Sequence, residues 1–178
     1  MGLELSLAKE KPGRRLALVT IQAFAQRNCS IARPLAFLGE RWAVLVLRDL
    51  SLGLRRFDEI QDSLGVASNV LSQRLATLVE EGIVERRRYR EHPERFDYRL
   101  TDKGLDLVPV LLALMHWGDR YTAGPEGPPM ETVHEDCGNV CHVVATCSEC
   151  GQELDPRHVH SRPGPGAGEE QMRWWRER

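Results

Sequence analysis

No apolar run of this 178-residue chain approaches the roughly 20 residues that a membrane-spanning helix requires. The chain also lacks a basic excess, because 24 lysines and arginines stand against 26 aspartates and glutamates. Neither the loose myristoylation pattern at Met1–Ser6 nor the short apolar stretch after Arg15 is a convincing targeting signal. We therefore expect a cytoplasmic protein, in which five cysteines favour metal binding or reactive thiols over structural disulfides.

A chain of this length can form one well-packed domain and a small appendage. Residues 16–24 predict either a helix or a strand, and their pattern does not decide between the two. Gly124–Pro129 has the composition of a linker, and the Gly/Pro repeats at 163–166 indicate an unstructured end that also contains Trp174 and Trp175. The predicted divisions are an N-terminal extension at 1–28, a domain at 29–122, a Cys/His-rich module at 123–160 and a disordered tail at 161–178.

The segment from Ser68 to Glu81 predicts an amphipathic helix that reads DNA bases. Leu71, Leu75 and Leu78 recur at helical spacing, so one face packs inward, and Ser68 is a suitable N-cap. The opposite face carries short amide, hydroxyl and methyl groups, which can reach base edges in a major groove. Those side chains are Asn69, Gln73 and Ala76, with Ser72 and Thr77 at the edges of the face.

A basic two-stranded wing is predicted to follow this helix. Gly82 ends the helix, and strands are expected at 83–90 and 96–100 around a tip at 92–94. Six arginines lie between Glu85 and Arg99, and such a local stripe matters more for phosphate contact than the net charge of the chain. Helices at 30–38, 41–50 and 57–64 complete the layout of a winged-helix DNA-binding domain.

The last helix of the domain is predicted to start at the cap Thr101 and to run to about Tyr121. Pro109 should kink or divide it, because proline removes one interior hydrogen bond. The segment has too many apolar residues for one buried stripe, so a second subunit is the simplest partner for its other side. We expect Leu112 and Met115 to contribute to a homodimer contact.

The order of these motifs resembles that of the HxlR family of MarR-related bacterial winged-helix regulators. The resemblance covers about half of the chain and implies a homodimeric regulator that binds a pseudo-palindromic operator in double-stranded DNA. The motifs that carry it are Cys29, Leu35–Trp42, Leu47–Leu50, Arg56–Ile60, Leu71–Leu75, Gly82–Arg86 and Tyr98–Gly104.

The predicted DNA contacts divide into base contacts and backbone contacts. Ser68, Asn69, Ser72 and Gln73 are expected to read bases, and Arg74 to touch phosphate or brace the helix. The wing residues expected at the backbone or in the minor groove are Arg88, Arg90, His92 and Arg95. The alternative function is a protein-interaction adaptor that keeps the fold without DNA binding. An enzyme is not expected, because the chain shows no defensible Ser/His/Asp or Cys/His arrangement.

A second group of residues predicts a zinc site in the Cys/His-rich module. His134 and Cys137, like Cys147 and Cys150, are two ligands separated by two residues and followed by a glycine. This spacing forms a tight turn that directs two ligands at one ion, and two such turns give a closed tetrahedral set without an open catalytic position. Cys141 and His142 compete for a ligand place, and unmetallated or disulfide-bonded cysteines are the alternatives. The predicted fold class is thus α+β, mainly α, with a helical dimerisation element and a small zinc-ribbon-like appendage.

Cys29 stands apart from the other cysteines, before the first helix of the domain. A thiol near a helix N-terminus tends towards the reactive thiolate. The residue is therefore either a redox-sensitive thiol or a small packed hydrophobe. Thiol oxidation or a small-molecule effector is expected to control the regulator.

Overall fold

The computed structural model describes residues 26–177, which fall in two compact units divided between Arg41 and Trp42. The first unit contains helix α1 (Ala32–Leu38). The second contains α2 (Ala43–Ser51), α3 (Phe57–Leu64), α4 (Ser68–Glu80), β1 (Val84–Arg90), β2 (Arg95–Leu100), α5 (Asp102–Leu105), α6 (Val108–Thr122), β3 (Thr132–His134), β4 (Asn139–Cys141) and α7 (Glu169–Arg176). The fold is mainly helical with small antiparallel sheets, as predicted for a winged helix-turn-helix protein.

The first unit is described from residue 26 onwards. Pro34 lies in the first turn of α1, where its missing N–H has no helical acceptor to lose. The Arg33 guanidinium donates to the side-chain oxygen of Asn28 over 2.7 Å, which ties the start of α1 to the preceding turn. The segment 16–24, for which the sequence left helix and strand open, lies outside the described residues.

The core of the second unit lies between α2, α3, α4 and the base of the wing. Val46, Ile60 and Leu71 are completely buried. Leu75, Leu78, Ile83 and Val84 are each 1% exposed, so the predicted apolar face of α4 is confirmed. Burial of side chains of this size contributes about 1.5–3 kcal/mol each, and this core holds α4 in place.

The turn between α3 and α4 is closed by a glycine and a glutamine. Gly65 ends α3 with a φ of 61°, a left-handed conformation that glycine adopts without strain. The side-chain amide of Gln61 donates to the Val66 carbonyl and to the Ser68 hydroxyl, over 3.2 Å and 2.9 Å. The prediction that Ser68 is the N-cap is wrong, because Ala67 occupies that position and no side chain caps the helix. The Ser68 hydroxyl is engaged across the turn instead.

Strands β1 and β2 form the antiparallel wing, with Val84 opposite Leu100 at its base and Arg90 opposite Arg95 near its tip. Gly82 precedes β1 with a φ of 67°, which allows the sharp exit from α4. The register shifts between Arg88 and Arg90, so Tyr89 is the extra residue of a bulge. At the other end, the Thr101 hydroxyl donates to the Gly82 carbonyl over 2.7 Å and joins the two strands at their base.

The predicted last helix is divided into α5 and α6. Thr101 caps α5 through its hydroxyl, which accepts from the Gly104 N–H over 3.2 Å. Pro109 lies in the first turn of α6, so the interruption expected from this proline is confirmed. Gly104 is required here, because a Cβ at this position would collide with the Ile83 carbonyl oxygen of the wing.

The remaining residues form short hairpins and a final helix. Strand β3 pairs with β4, and a single bridge joins Thr146 to Glu153. Where the sequence predicts a disordered tail, residues Glu169–Arg176 form helix α7. Its start is closed by the Gln171 side chain, which accepts from the Gly168 N–H over 3.0 Å. Acidic residues in its first turn and arginines in its last turn also match the helix dipole.

Candidate nucleic-acid interface

The N-terminal half of α4 exposes a row of short polar side chains. Asn69, Ser72 and Gln73 are exposed, together with Ala76 one turn further on. Leu71 and Leu75 on the other side of the helix are buried, so the row cannot rotate away from solvent. This is the face that helical spacing predicts, and its exposure is confirmed.

Two further predicted contact residues of α4 have partners within the protein. Ser68 is exposed, but its hydroxyl accepts the hydrogen bond from Gln61. Arg74 is half-buried and takes part in interactions of its own. Gln61 was missed by the sequence analysis, although a glutamine seven residues before Ser68 on the preceding helix is a recognisable signal.

Glu59 is a second residue that the sequence analysis missed. Its carboxylate accepts from the N–H groups of Arg56 and Arg55 over 2.9 Å and 3.0 Å. These bonds, the Arg56 N–H first, hold the pKa of Glu59 below its ordinary value. Glu59 stands three residues after the N-cap Arg56, which is the capping-box spacing, and it fixes the first turn of α3.

The arginines of the wing do not all face solvent as free charges. Arg87 contacts Glu85 over 2.5 Å, Arg99 contacts Asp97 over 2.8 Å, and Arg88 contacts Glu94 over 3.2 Å and Glu91 over 3.7 Å. Six arginines and four carboxylates between residues 85 and 99 leave a net charge of about two positive. The acidic residues are therefore partners of the arginines rather than scattered charges.

Arg90 and Arg95 carry the positive charge of the wing near its tip. They are exposed and lie opposite one another in the register, and no carboxylate of residues 26–177 forms an ion pair with either. The Arg90 guanidinium donates to the His92 carbonyl over 3.1 Å, and the His92 side chain is exposed at the tip. Like charges directly opposite each other in a hairpin are unfavourable. A bound anion such as a phosphate would relieve this repulsion.

The Cys29 thiol is exposed at the start of α1. The N–H groups of Ala32 and then Ile31 donate to its sulfur, and Arg27 and Arg33 add positive charge nearby. Together they hold the pKa of Cys29 below its ordinary value. The alternative of a small packed hydrophobe does not fit an exposed thiol.

The four predicted zinc ligands are brought together in two pairs. The His134 Nδ1 atom lies 3.3 Å from the Cys137 sulfur, and the Cys150 N–H is directed at the Cys147 sulfur. Nowhere in residues 26–177 do three or more His, Cys, Asp or Glu side chains group closely enough to hold a metal ion. All five cysteines are free, so the disulfide alternative is absent from the structure.

Helix α6 has two different apolar faces, and the sequence analysis did not separate them. Val110, Leu114, Trp117 and Tyr121 form one stripe, and each is between 54% and 62% exposed. At 100° per residue, Leu112 lies about 170° and Met115 about 130° from the centre of this stripe, and both line a hollow against the β3–β4 hairpin. The exposed stripe is therefore free for a partner, whereas Leu112 and Met115 are partly covered by the same chain.

The sequence of this chain is similar to those of known transcription regulators. The sequence model of the HxlR-like helix-turn-helix family matches residues 37–125. An uncharacterised HTH-type transcriptional regulator of Mycobacterium tuberculosis is 44% identical over 137 residues, which are 77% of this chain and 87% of the relative.

No helix of residues 26–177 is long and apolar enough to cross a membrane.

Two solved structures share the fold. The structure of PA1607, a candidate transcription factor, has a TM-score of 0.72 and 35% identity, and the match covers 80% of this chain and 99% of that one. The oxidised form of the redox regulator HypR has a TM-score of 0.50 and 27% identity. That match covers 54% of this chain and 100% of the HypR chain.

Proposed function

Because this chain belongs to the HxlR-like helix-turn-helix family of transcription regulators, we propose that it is a homodimer that binds a pseudo-palindromic DNA operator. The N-terminal half of α4 lies in the major groove, and the wing follows the adjacent backbone. The observation that carries this proposal is the exposed row Asn69, Ser72 and Gln73 on a helix anchored by buried leucines. Rigid placement of polar groups is what base reading requires.

The side chains have different roles in this complex. Asn69, Ser72 and Gln73 contact base edges, whereas Ser68 mainly braces the turn through Gln61. Arg90, Arg95 and His92 contact phosphates or the minor groove. Arg88 holds the wing tip through Glu91 and Glu94, and Arg74 braces α4 or reaches a phosphate.

The exposed stripe of α6 is the proposed dimer contact. Four apolar side chains, two of them aromatic, recur there at spacings of four, three and four residues. This is the spacing by which two helices pack along their length. A two-fold pair of such helices would hold two copies of α4 for successive major grooves.

Gln73→Ala is expected to relax base preference at one position of each half-site, at a cost of about 1–3 kcal/mol per contact. Operators are first selected from a pool of random duplexes with the full-length protein, and gel shifts then compare the variants on selected and scrambled DNA. The contrasting variant is Arg95→Ala, which should weaken binding to both DNAs alike, because phosphates carry no sequence information.

If Gln73→Ala binds the selected operator as tightly as the wild-type protein does, the assignment of α4 to the major groove is wrong. If the wild-type protein selects no DNA at all, the adaptor function replaces the proposed one.

We also propose that thiol oxidation of Cys29 controls DNA binding, with a small-molecule effector as the other predicted input. HypR, a relative by structure, is a redox regulator. In this chain the helix N–H groups and the arginines stabilise the Cys29 thiolate, which is the form that hydrogen peroxide oxidises to a sulfenic acid with release of hydroxide. Cys29 precedes α1, which leads through Gly39 to α2 of the DNA-binding unit.

The reaction of Cys29 with a maleimide is expected to reach its plateau rate at a lower pH than the reaction of an ordinary cysteine thiol does, because the pKa of Cys29 is held below its ordinary value. The measurement is a pH–rate profile followed by peptide mass spectrometry, with Cys29→Ser as the control. Mild peroxide should then weaken DNA binding of the wild-type protein and leave Cys29→Ser unaffected. Equal responses of the two proteins would assign the effect to other cysteines.

A further inference from the structure

Two turns of the Cys/His-rich module have the same backbone construction. In the first, the Gly138 N–H donates to the His134 carbonyl over 2.7 Å. In the second, the Gly151 N–H donates to the Cys147 carbonyl over 2.8 Å. The glycines have φ values of 69° and 72°, so both turns end in the same left-handed conformation.

Each turn also closes a hairpin at the same offset. His134 pairs with Asn139, five residues later, in the β3–β4 hairpin. The Cys147 N–H donates to the Gln152 carbonyl, again five residues later, over 2.8 Å. Beyond it, the Leu154 N–H donates to the Ala145 carbonyl over 2.9 Å. The two hairpins are therefore equivalent units, although only the first has regular strands.

The first turn places its two donor atoms close to, and slightly short of, the separation of two ligands on one zinc ion. With Zn–S near 2.3 Å and Zn–N near 2.0–2.1 Å, two ligands at a tetrahedral angle lie about 3.6 Å apart. The His134 Nδ1 and Cys137 sulfur atoms are separated by 3.3 Å. The other ring nitrogen of His134 lies 3.6 Å from the Asp136 carboxylate, which is the kind of partner that orients a ligating histidine.

Backbone N–H groups also point at the ligand sulfurs of the two turns. In the second turn, the N–H groups of Cys150 and Glu149 are directed at the Cys147 sulfur. In the first turn, the Cys137 sulfur likewise accepts from the Asn139 N–H. Hydrogen-bond donors of this kind around a ligand atom orient it towards a metal ion.

The competing ligands His142 and Cys141 lie elsewhere. The His142 ring stacks on the His116 ring of α6 with 4.3 Å between centroids and 11° between planes. Cys141 pairs with Thr132 in the β3–β4 hairpin, and with His142 it lines the hollow against α6. Both side chains are thus assigned to the contact with α6.

From these two matched turns, we propose that the module binds one zinc ion through His134, Cys137, Cys147 and Cys150. Almost every side chain of residues 130–160 is at least partly exposed, so the module lacks an apolar core to hold its hairpins together. Zinc in a closed tetrahedral site supplies folding energy to such a segment. Among residues 26–177 the two pairs do not form one group of ligands, so the proposal requires the ion to draw the two hairpins together.

The site is structural, and it is independent of the proposed DNA binding. Three thiolates and one neutral imidazole fill all four tetrahedral positions, so water and substrate have no place on the ion. Binding releases the protons of the three thiols, and the ligated sulfurs become poor nucleophiles. The thiols of Cys29 and Cys141 stay free to react.

Metal analysis of the full-length protein, purified with reductant and dialysed against zinc, tests the proposal. We expect about one zinc per subunit in the wild-type protein and in the matched control Cys141→Ser, and almost none in Cys147→Ser. Cobalt alone should give the intense visible bands of a tetrahedral thiolate site with the wild-type protein and with Cys141→Ser. Cys150→Ser should give weaker bands.

A second measurement needs no variant and so does not depend on folding of the substituted chains. In the native zinc-loaded protein, iodoacetamide should modify Cys29 and Cys141 and spare the other three thiols. After a chelator has removed the zinc, iodoacetamide should modify all five thiols. Wild-type protein without zinc and with five alkylatable thiols would overturn the proposal. Equal metal loss in Cys141→Ser and Cys147→Ser would also overturn it, because the ligand set would then be different.

Discussion

Replacing Leu114 and Trp117 with glutamate is expected to give a monomer whose affinity for the operator is about 10²–10⁴-fold lower. Both side chains are more than half exposed on the α6 stripe. A two-fold symmetric contact would bury each of them in both copies of the chain. A charged group at the centre of such a contact removes the apolar anchors and adds repulsion between the two copies. The loss of affinity follows because two linked half-sites bind with a high effective concentration, which a monomer lacks.

The matched control is Thr122→Glu, which places a glutamate at an exposed position of the same helix, about 110° from the centre of the stripe. It should remain dimeric. Light scattering coupled to gel filtration gives the oligomeric state, and circular dichroism checks that the helices remain. A Leu114→Glu/Trp117→Glu protein that stays dimeric would move the interface away from α6.

Replacing Arg90 and Arg95 together with alanine is expected to weaken binding to every DNA sequence, by on the order of 100-fold at moderate salt. The two arginines lie opposite each other in the register near the wing tip without a carboxylate partner among residues 26–177, so phosphates are their natural counterions. A dimer would lose about four phosphate contacts. The slope of log affinity against log salt should therefore become shallower by about 3–4 units.

Arg88→Ala is the control for the wing, because Arg88 lies on the same strand but is bonded to Glu94 and Glu91. Its effect on the slope should be much smaller. Binding isotherms at several salt concentrations on one duplex give all three slopes. An equal flattening by Arg88→Ala would mean that the ion pairs at the wing tip do not persist in the complex.

The fold was predictable where signals are local in the sequence. The range of α3 agrees with the prediction at both ends, and the buried face of α4 follows from the spacing of Leu71, Leu75 and Leu78. Gly82 and Pro109 each act on the backbone at their own position, so the exit into the wing and the division of the last helix could be read directly.

The candidate site was only partly predictable, because several of its contacts join residues that lie in different elements or turns of the chain. The exposed row of α4 follows from periodicity, but the role of Ser68 depends on Gln61 from another helix. Counting arginines in the wing overstated its free charge, because Arg88 meets Glu91 and Glu94 at the wing tip and Arg99 meets Asp97 on its own strand.

Helix α6 separates what the sequence alone determined from what only the tertiary structure decided. Its apolar composition alone determined that the helix needs partners on two sides. Only the tertiary structure decided that the β3–β4 hairpin covers Leu112 and Met115 and leaves the opposite stripe open, and that His142 stacks on His116. Helical periodicity fixes the angle between two faces, whereas the choice of face for each partner depends on chain segments that are distant in sequence and meet only on folding.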